Sequence, residues 1–160
     1  MDDARTTAPP PSRPGRALLA AAAVVGLLHA AISAYWAAGG TWLLETLGER
    51  VLTTFDGRLW LLAPLVVVKA VAAVGPAWLD ARRWPWRRVT RTLAWLAVVV
   101  LVGWGGANTV VGNLVLAGVV NDGGAIDRPA MIGHAWLWDP LFIVWGVLLA
   151  CGLWRGRRAH

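Results

Sequence analysis

The sequence predicts an all-α protein, a four-span transmembrane helical bundle with a disordered N-terminal tail, and three observations predict it. The 160 residues are 58% hydrophobic and only 15% charged, whereas an ordinary soluble domain is about 45–50% apolar and about 25% charged. The apolar residues gather into four long runs. Almost all basic residues lie between or beyond those runs, and 12 tryptophans, a residue type suited to the membrane–water interface, are distributed along the chain.

Residues 1–16 contain Pro9, Pro10, Pro11 and Pro14 and no aliphatic side chain larger than alanine. Such a segment cannot bury enough surface to offset the entropy of ordering, so a solvated tail is expected. Residues 17–39 carry no charge and reach roughly 34 Å as a helix, enough to cross a hydrocarbon layer of about 30 Å. Residues 40–58 are mixed, with Glu45, Glu49, Arg50, Asp56 and Arg58. Trp42, Leu43, Leu47 and Leu52 recur there at near-helical spacing, which predicts a short interfacial helix in the first outer loop.

The second span is expected over 59–79, interrupted by Pro64 and Lys69. A basic loop over 80–92 follows, with Arg82, Arg83, Arg87, Arg88 and Arg91 beside Trp84 and Trp86. The third span, 93–119, is longer than a crossing needs and should tilt or emerge early. Asn121, Asp122, Gly123 and Gly124 mark a turn. The fourth span is expected over 131–154 and ends in a basic tail, 155–160. It either kinks at Pro140 or is preceded by an interfacial helix, because 15 residues from Pro140 to Trp154 are too few to cross alone.

Eleven arginines fall on the side of the two termini and the central loop, against Arg50, Arg58 and Arg128 on the other. This bias predicts a multi-pass protein with both termini in the cytoplasm, and it explains the net charge of +6 without nucleic acid. Small residues at Ala31 and Ser33 also fit a signal-peptide cleavage site. The unbroken continuation through Tyr35 and Trp36 favours a retained span. A single cysteine, Cys151, excludes an intrachain disulfide framework and a cysteine-rich zinc site.

Within the spans, the polar residues are the candidates for function, since an ionisable group in the membrane is costly. His29 and Ser33 are four apart on one helical face, with Trp36 three further on. Lys69, Tyr35, Asn108 and Asp139 complete the ligand-binding candidates, concentrated in the outer half. Lys69 is expected inside the bundle with Asp139 or His29 as its polar partner, against the competing reading of snorkelling along its own stem. Asp139 before Pro140 equally suits a helix N-cap. Gly103, Gly105, Gly106, Gly112 and Gly118 suggest close helix packing on the third span, and Asn108 and Asn113 suggest interhelical hydrogen bonds. His134 and Glu45 are read as interfacial residues without assigned chemistry.

The segment from His29 through Gly40, HAAISAYWAAGG, followed by Trp42, resembles the opening of the small bacterial membrane family designated domain of unknown function 3995. Trp138 through Gly146, WDPLFIVWG, resembles its closing segment. The resemblance extends over roughly residues 18–154, the middle being matched only as hydrophobic spans. It implies a compact four-helix protein of the bacterial cytoplasmic membrane, and no activity.

Three classes of function remain open from the sequence. The leading one is binding or movement of a small solute or lipid through an outward-facing polar pocket. The second is an accessory subunit with a membrane-protein partner. The third is a membrane enzyme using His29 or Asp139 as acid or base, for which no complete catalytic constellation is visible. Membrane lipids are expected partners; no metal, cofactor or nucleic acid is implied.

Overall fold

The structure, a computed structural model, describes residues 15–120 and 126–158. The expected disordered tail, up to residue 14, and the turn at Asn121 to Gly124 lie outside the described residues. Four helices are long and apolar enough to cross a membrane, and no strand occurs among the described residues.

The first span is α1 (Arg16–Ala37). Its buried residues Leu19, Ala22, Gly26, His29, Ala30, Ser33 and Trp36 recur every three or four positions and form one continuous stripe. The helix stops where Gly39 takes φ +92°, with the N–H groups of Ala38 and Gly39 closing onto Ala34 and Trp36.

The first loop holds a 3-10 turn (Leu44–Leu47) and the short helix α2 (Glu49–Thr54). The second span joins a 3-10 turn (Leu59–Leu62) to α3 (Ala63–Ala81). The third is the single long helix α4 (Arg87–Leu116). The basic loop expected over 80–92 is therefore mostly helical, leaving only 82–86 as a turn. Arg83, Trp84 and Trp86 in it adopt left-handed backbone, a conformation costly for residues with a Cβ. The fourth span is α5 (Arg128–Gly133), a π turn (His134–Trp138) and α6 (Asp139–Arg155) in continuous succession. The π turn has a local cause: Pro140 has no N–H to offer the preceding turn and its ring crowds the carbonyl four residues back.

The helices stand in the spatial order second, first, fourth, third: α1 lies between α3 and α6, and α4 packs on the far side of α6. The inner pair is accordingly more buried than the outer pair. Glycines set the close approaches. A Cβ on Gly26 would sit 2.6 Å from Trp145 and 2.7 Å from Ala73, and one on Gly105 would sit 2.6 Å from the Asp139 carbonyl. Gly112 likewise faces Ala135, whereas Gly103 and Gly106 face open space and Gly118 serves a turn at φ +72°. Close packing thus explains two of the five glycines singled out on the third span. Asn113, expected to bond between helices, donates instead to the Thr109 carbonyl of its own helix.

Gly15 touches Gly152, so the start of the first span and the end of the fourth share one end of the bundle, the terminal end. There Trp84 Nε1 donates to Asp80 Oδ1 at 3.1 Å, and the Arg91 guanidinium lies 5.2 Å from the Trp84 ring. Arg91 also donates to the Leu153 carbonyl at 2.7 Å, tying α3, the tight turn, α4 and α6 together. At the opposite loop end, Asp127 Oδ2 accepts from the Glu49 N–H at 2.7 Å and its Oδ1 from the Ala130 N–H at 3.2 Å. One carboxylate thereby caps two helices.

Candidate functional site

In the membrane interior α1 and α3 bring three polar side chains into contact. Lys69 Nζ donates to Ser33 Oγ at 2.8 Å and lies 3.3 Å from His29 Nδ1. Ser33 Oγ donates to the His29 carbonyl at 3.2 Å, so the i, i+4 pair on α1 is held ready for the lysine. The wall opposite is aromatic and comes from the fourth span. Phe142 stacks on His29 with ring centres 4.2 Å apart, Trp138 meets it edge-on at 6.0 Å, and Lys69 Nζ is 5.6 Å from the Phe142 ring centre. His29 and Ser33 are buried, and Lys69 is half-buried between α1 and α3.

Lys69 therefore meets His29 and not Asp139. Asp139 is only 1% exposed, and its Oδ2 lies 2.7 Å from His134 Nδ1. It does not cap a helix: it has helical backbone within the fourth span, and its side chain turns back across the π turn. Hydrogen bonding from i to i+5 brings positions five apart onto one side, which a regular helix would not do.

The remaining candidates take other places. Trp36 is buried, donates to the Trp42 carbonyl at 2.9 Å and packs edge-on against Trp138 at 5.0 Å. Tyr35 is exposed, and its hydroxyl accepts from the N–H groups of Thr41 and Trp42, so it secures the turn after α1. Asn108 is half-buried on α4, outside the triad.

Sequence reasoning gave no chemistry to His134, Thr46 or Asp127. Thr46 Oγ1 accepts from Trp138 Nε1 at 2.8 Å and donates to the Leu43 carbonyl at 2.6 Å, closing the first loop over the fourth span. Beside this closure lies a cleft of about 460 Å³. Val111 and Val115 of α4, Met131 of α5, and Leu47, Val51 and Ile126 form its apolar walls, while Arg50, Asp127 and His134 supply polar groups. Lys69, His29 and Asp139 do not line it; His134 alone connects the cleft to the buried carboxylate. Among the described residues no group of three His, Cys, Asp or Glu side chains is arranged to hold a metal.

Fold and site together define a multi-pass helical membrane protein with a polar triad between its first two spans. Residues 26–149 match the model of the family described as Protein of unknown function (DUF3995), and the chain belongs to that family. No curated protein and no solved structure matches the chain.

Proposed function

We propose that this membrane protein binds a small solute or a lipid in the cleft at its loop end. The carrying observation is the cleft itself: about 460 Å³, within the roughly 300–1,000 Å³ usual for small-molecule sites, with apolar walls and a few convergent polar groups. His134 is the polar group best held in place, because the buried Asp139 carboxylate fixes its ring from behind. The arginine distribution supports an outward-facing cleft. Among the described residues Arg16, Arg82, Arg83, Arg87, Arg88, Arg91, Arg155, Arg157 and Arg158 belong to the terminal end, and Arg50, Arg58 and Arg128 to the loop end, the bias that keeps termini in the cytoplasm.

The test is thermal unfolding of the purified protein against a panel of single-chain lipids and small solutes, beside Val115→Trp, which fills the cleft from α4. Wild-type protein should gain stability with at least one compound, and Val115→Trp should lose that gain while unfolding at a similar temperature alone. A panel in which no compound stabilises the wild type more than the variant refutes the reading.

A further inference from the structure

Binding at the cleft leaves open which compound it takes, and the cleft's own walls narrow the choice. A ligand drawn from the bilayer leaves surroundings as apolar as the valine, isoleucine and methionine that would receive it, so those walls give it little preference over any lipid tail. Selection falls to the polar groups, which are Arg50, Asp127 and His134. Asp127 is already answered: its Oδ2 accepts from the Glu49 N–H at 2.7 Å and its Oδ1 from the Ala130 N–H at 3.2 Å. Arg50 is exposed, and among the described residues its guanidinium takes part in no ion pair and no side-chain hydrogen bond. The unanswered charge of the cleft is therefore positive. A guanidinium keeps its charge and presents a planar fork of N–H donors, which suits an oxyanion.

His134 adds a second contact for the same head group. Its Nδ1 is held by Asp139 Oδ2 at 2.7 Å, which leaves Nε2 as the ring nitrogen free for a ligand. In the neutral ring Nε2 accepts from a hydroxyl, and in the protonated ring it donates to an oxyanion. An acidic head group supplies both partners. Size sets the remainder of the molecule. At about 460 Å³ the cleft has room for roughly fifteen groups of the about 30 Å³ that a water occupies, enough for one alkyl chain with a small head and too little for the two chains of a phospholipid. Val111, Val120 and Ile126 line the cleft and are also exposed, so its apolar side is open at the surface of the bundle, where a chain can enter sideways.

We propose that the cleft takes a single-chain amphiphile with an anionic head group, an alkyl phosphate or an alkyl carboxylate, its head at Arg50 and His134 and its chain along α4 over Val111 and Val115. This rests on the cleft being the binding site. Inorganic phosphate shares the head chemistry without the chain, and an uncharged monoacylglycerol shares the chain without the charge. Each lacks one half of what the cleft offers.

The test places the purified protein in nanodiscs of phosphatidylcholine, a two-chain lipid too large to compete, on a scaffold without tryptophan. Unfolding is followed by the fluorescence of its 12 tryptophans while dodecyl phosphate, dodecanoate, monolauroylglycerol or inorganic phosphate is added, and the rise in unfolding temperature gives an apparent Kd. Both anionic amphiphiles should bind roughly tenfold more tightly than monolauroylglycerol, and inorganic phosphate more weakly than either. Arg50→Gln, at an exposed position, should unfold like wild type when alone and weaken both anionic amphiphiles roughly tenfold, as loss of a charge-assisted hydrogen bond does. Its affinity for monolauroylglycerol should not change. Arg58→Gln removes the same charge at the same end, outside the cleft, and should bind like wild type.

Anionic affinity that is unchanged in Arg50→Gln overturns the proposal, as does equal weakening in Arg50→Gln and Arg58→Gln, which makes the effect one of net charge. Inorganic phosphate that binds as tightly as dodecyl phosphate overturns it too, in favour of a site for a free anion. If monolauroylglycerol stabilises the wild type as well as dodecyl phosphate does, and Val115→Trp loses both effects, the preference for charge fails while binding at the cleft stands. If Val115→Trp keeps every stabilisation that the wild type shows, both fail.

Discussion

The terminal end and the membrane interior each bury charged groups, and they treat them differently. At the terminal end Asp80 is 4% exposed and accepts from Trp84, while Arg91 lies against the Trp84 ring and donates to the Leu153 carbonyl. The indole links carboxylate and guanidinium, and the cluster joins three spans. In the interior, among the described residues, Lys69 meets a hydroxyl and an imidazole and no carboxylate. A buried carboxylate tied into a cluster that joins three spans contributes to holding the fold, and removing one partner is expensive. An ammonium held by neutral groups adds less to the fold, and an ionisable group inside a membrane is by default a candidate for function.

The largest effect expected from this contrast is at Trp84. Trp84→Ala removes a side chain that is 2% exposed and leaves Asp80 without its indole donor, so a loss of about 3–5 kcal/mol is expected, measured by reversible unfolding in mixed micelles. A loss below 1 kcal/mol, on the order of a surface change, would remove the terminal end as the structural member of the comparison. Next comes the packing that seats Asp139. Gly105→Ala would drive a Cβ into the Asp139 carbonyl, whereas Gly106→Ala meets nothing within 4 Å. The first should cost about 1–3 kcal/mol and the second almost nothing; equal costs would show that α4 does not seat α6 at this point. The smallest effect is at Lys69. Lys69→Met keeps the length of the side chain and should leave stability within about 1 kcal/mol of wild type or raise it. A loss as large as that of Trp84→Ala would make the triad a structural cluster like the other.

The four spans were legible because length and apolarity alone identify a crossing helix; a lone lysine in a span requires a polar neighbour, so a partner for Lys69 was legible too, but whether it was Asp139 or His29 was not. Less could be read where a residue's environment depends on backbone irregularity. His134 and Asp139 are five apart, a spacing that joins no face of a regular helix, and only the π turn before Pro140 brings them together. The signal was Pro140, read as a kink or a cap when it produces a widened turn. Asp80 was assigned to a loop by the arginines that follow it, yet it lies inside α3, buried by Trp84 four residues on. The cleft draws its walls from segments far apart in sequence, so no local pattern announced it.

The spatial order of the helices also bears on how the chain enters the bilayer. Synthesis runs from the N-terminus, so the first span is in place when the second, carrying Lys69, leaves the translocon. Both polar partners of Lys69, His29 and Ser33, are on that first span. The triad can therefore close as soon as the first two helices meet, before the fourth span delivers Phe142 and Trp138 as its wall. Every growing chain long enough to place this lysine in lipid already contains the side chains that receive it.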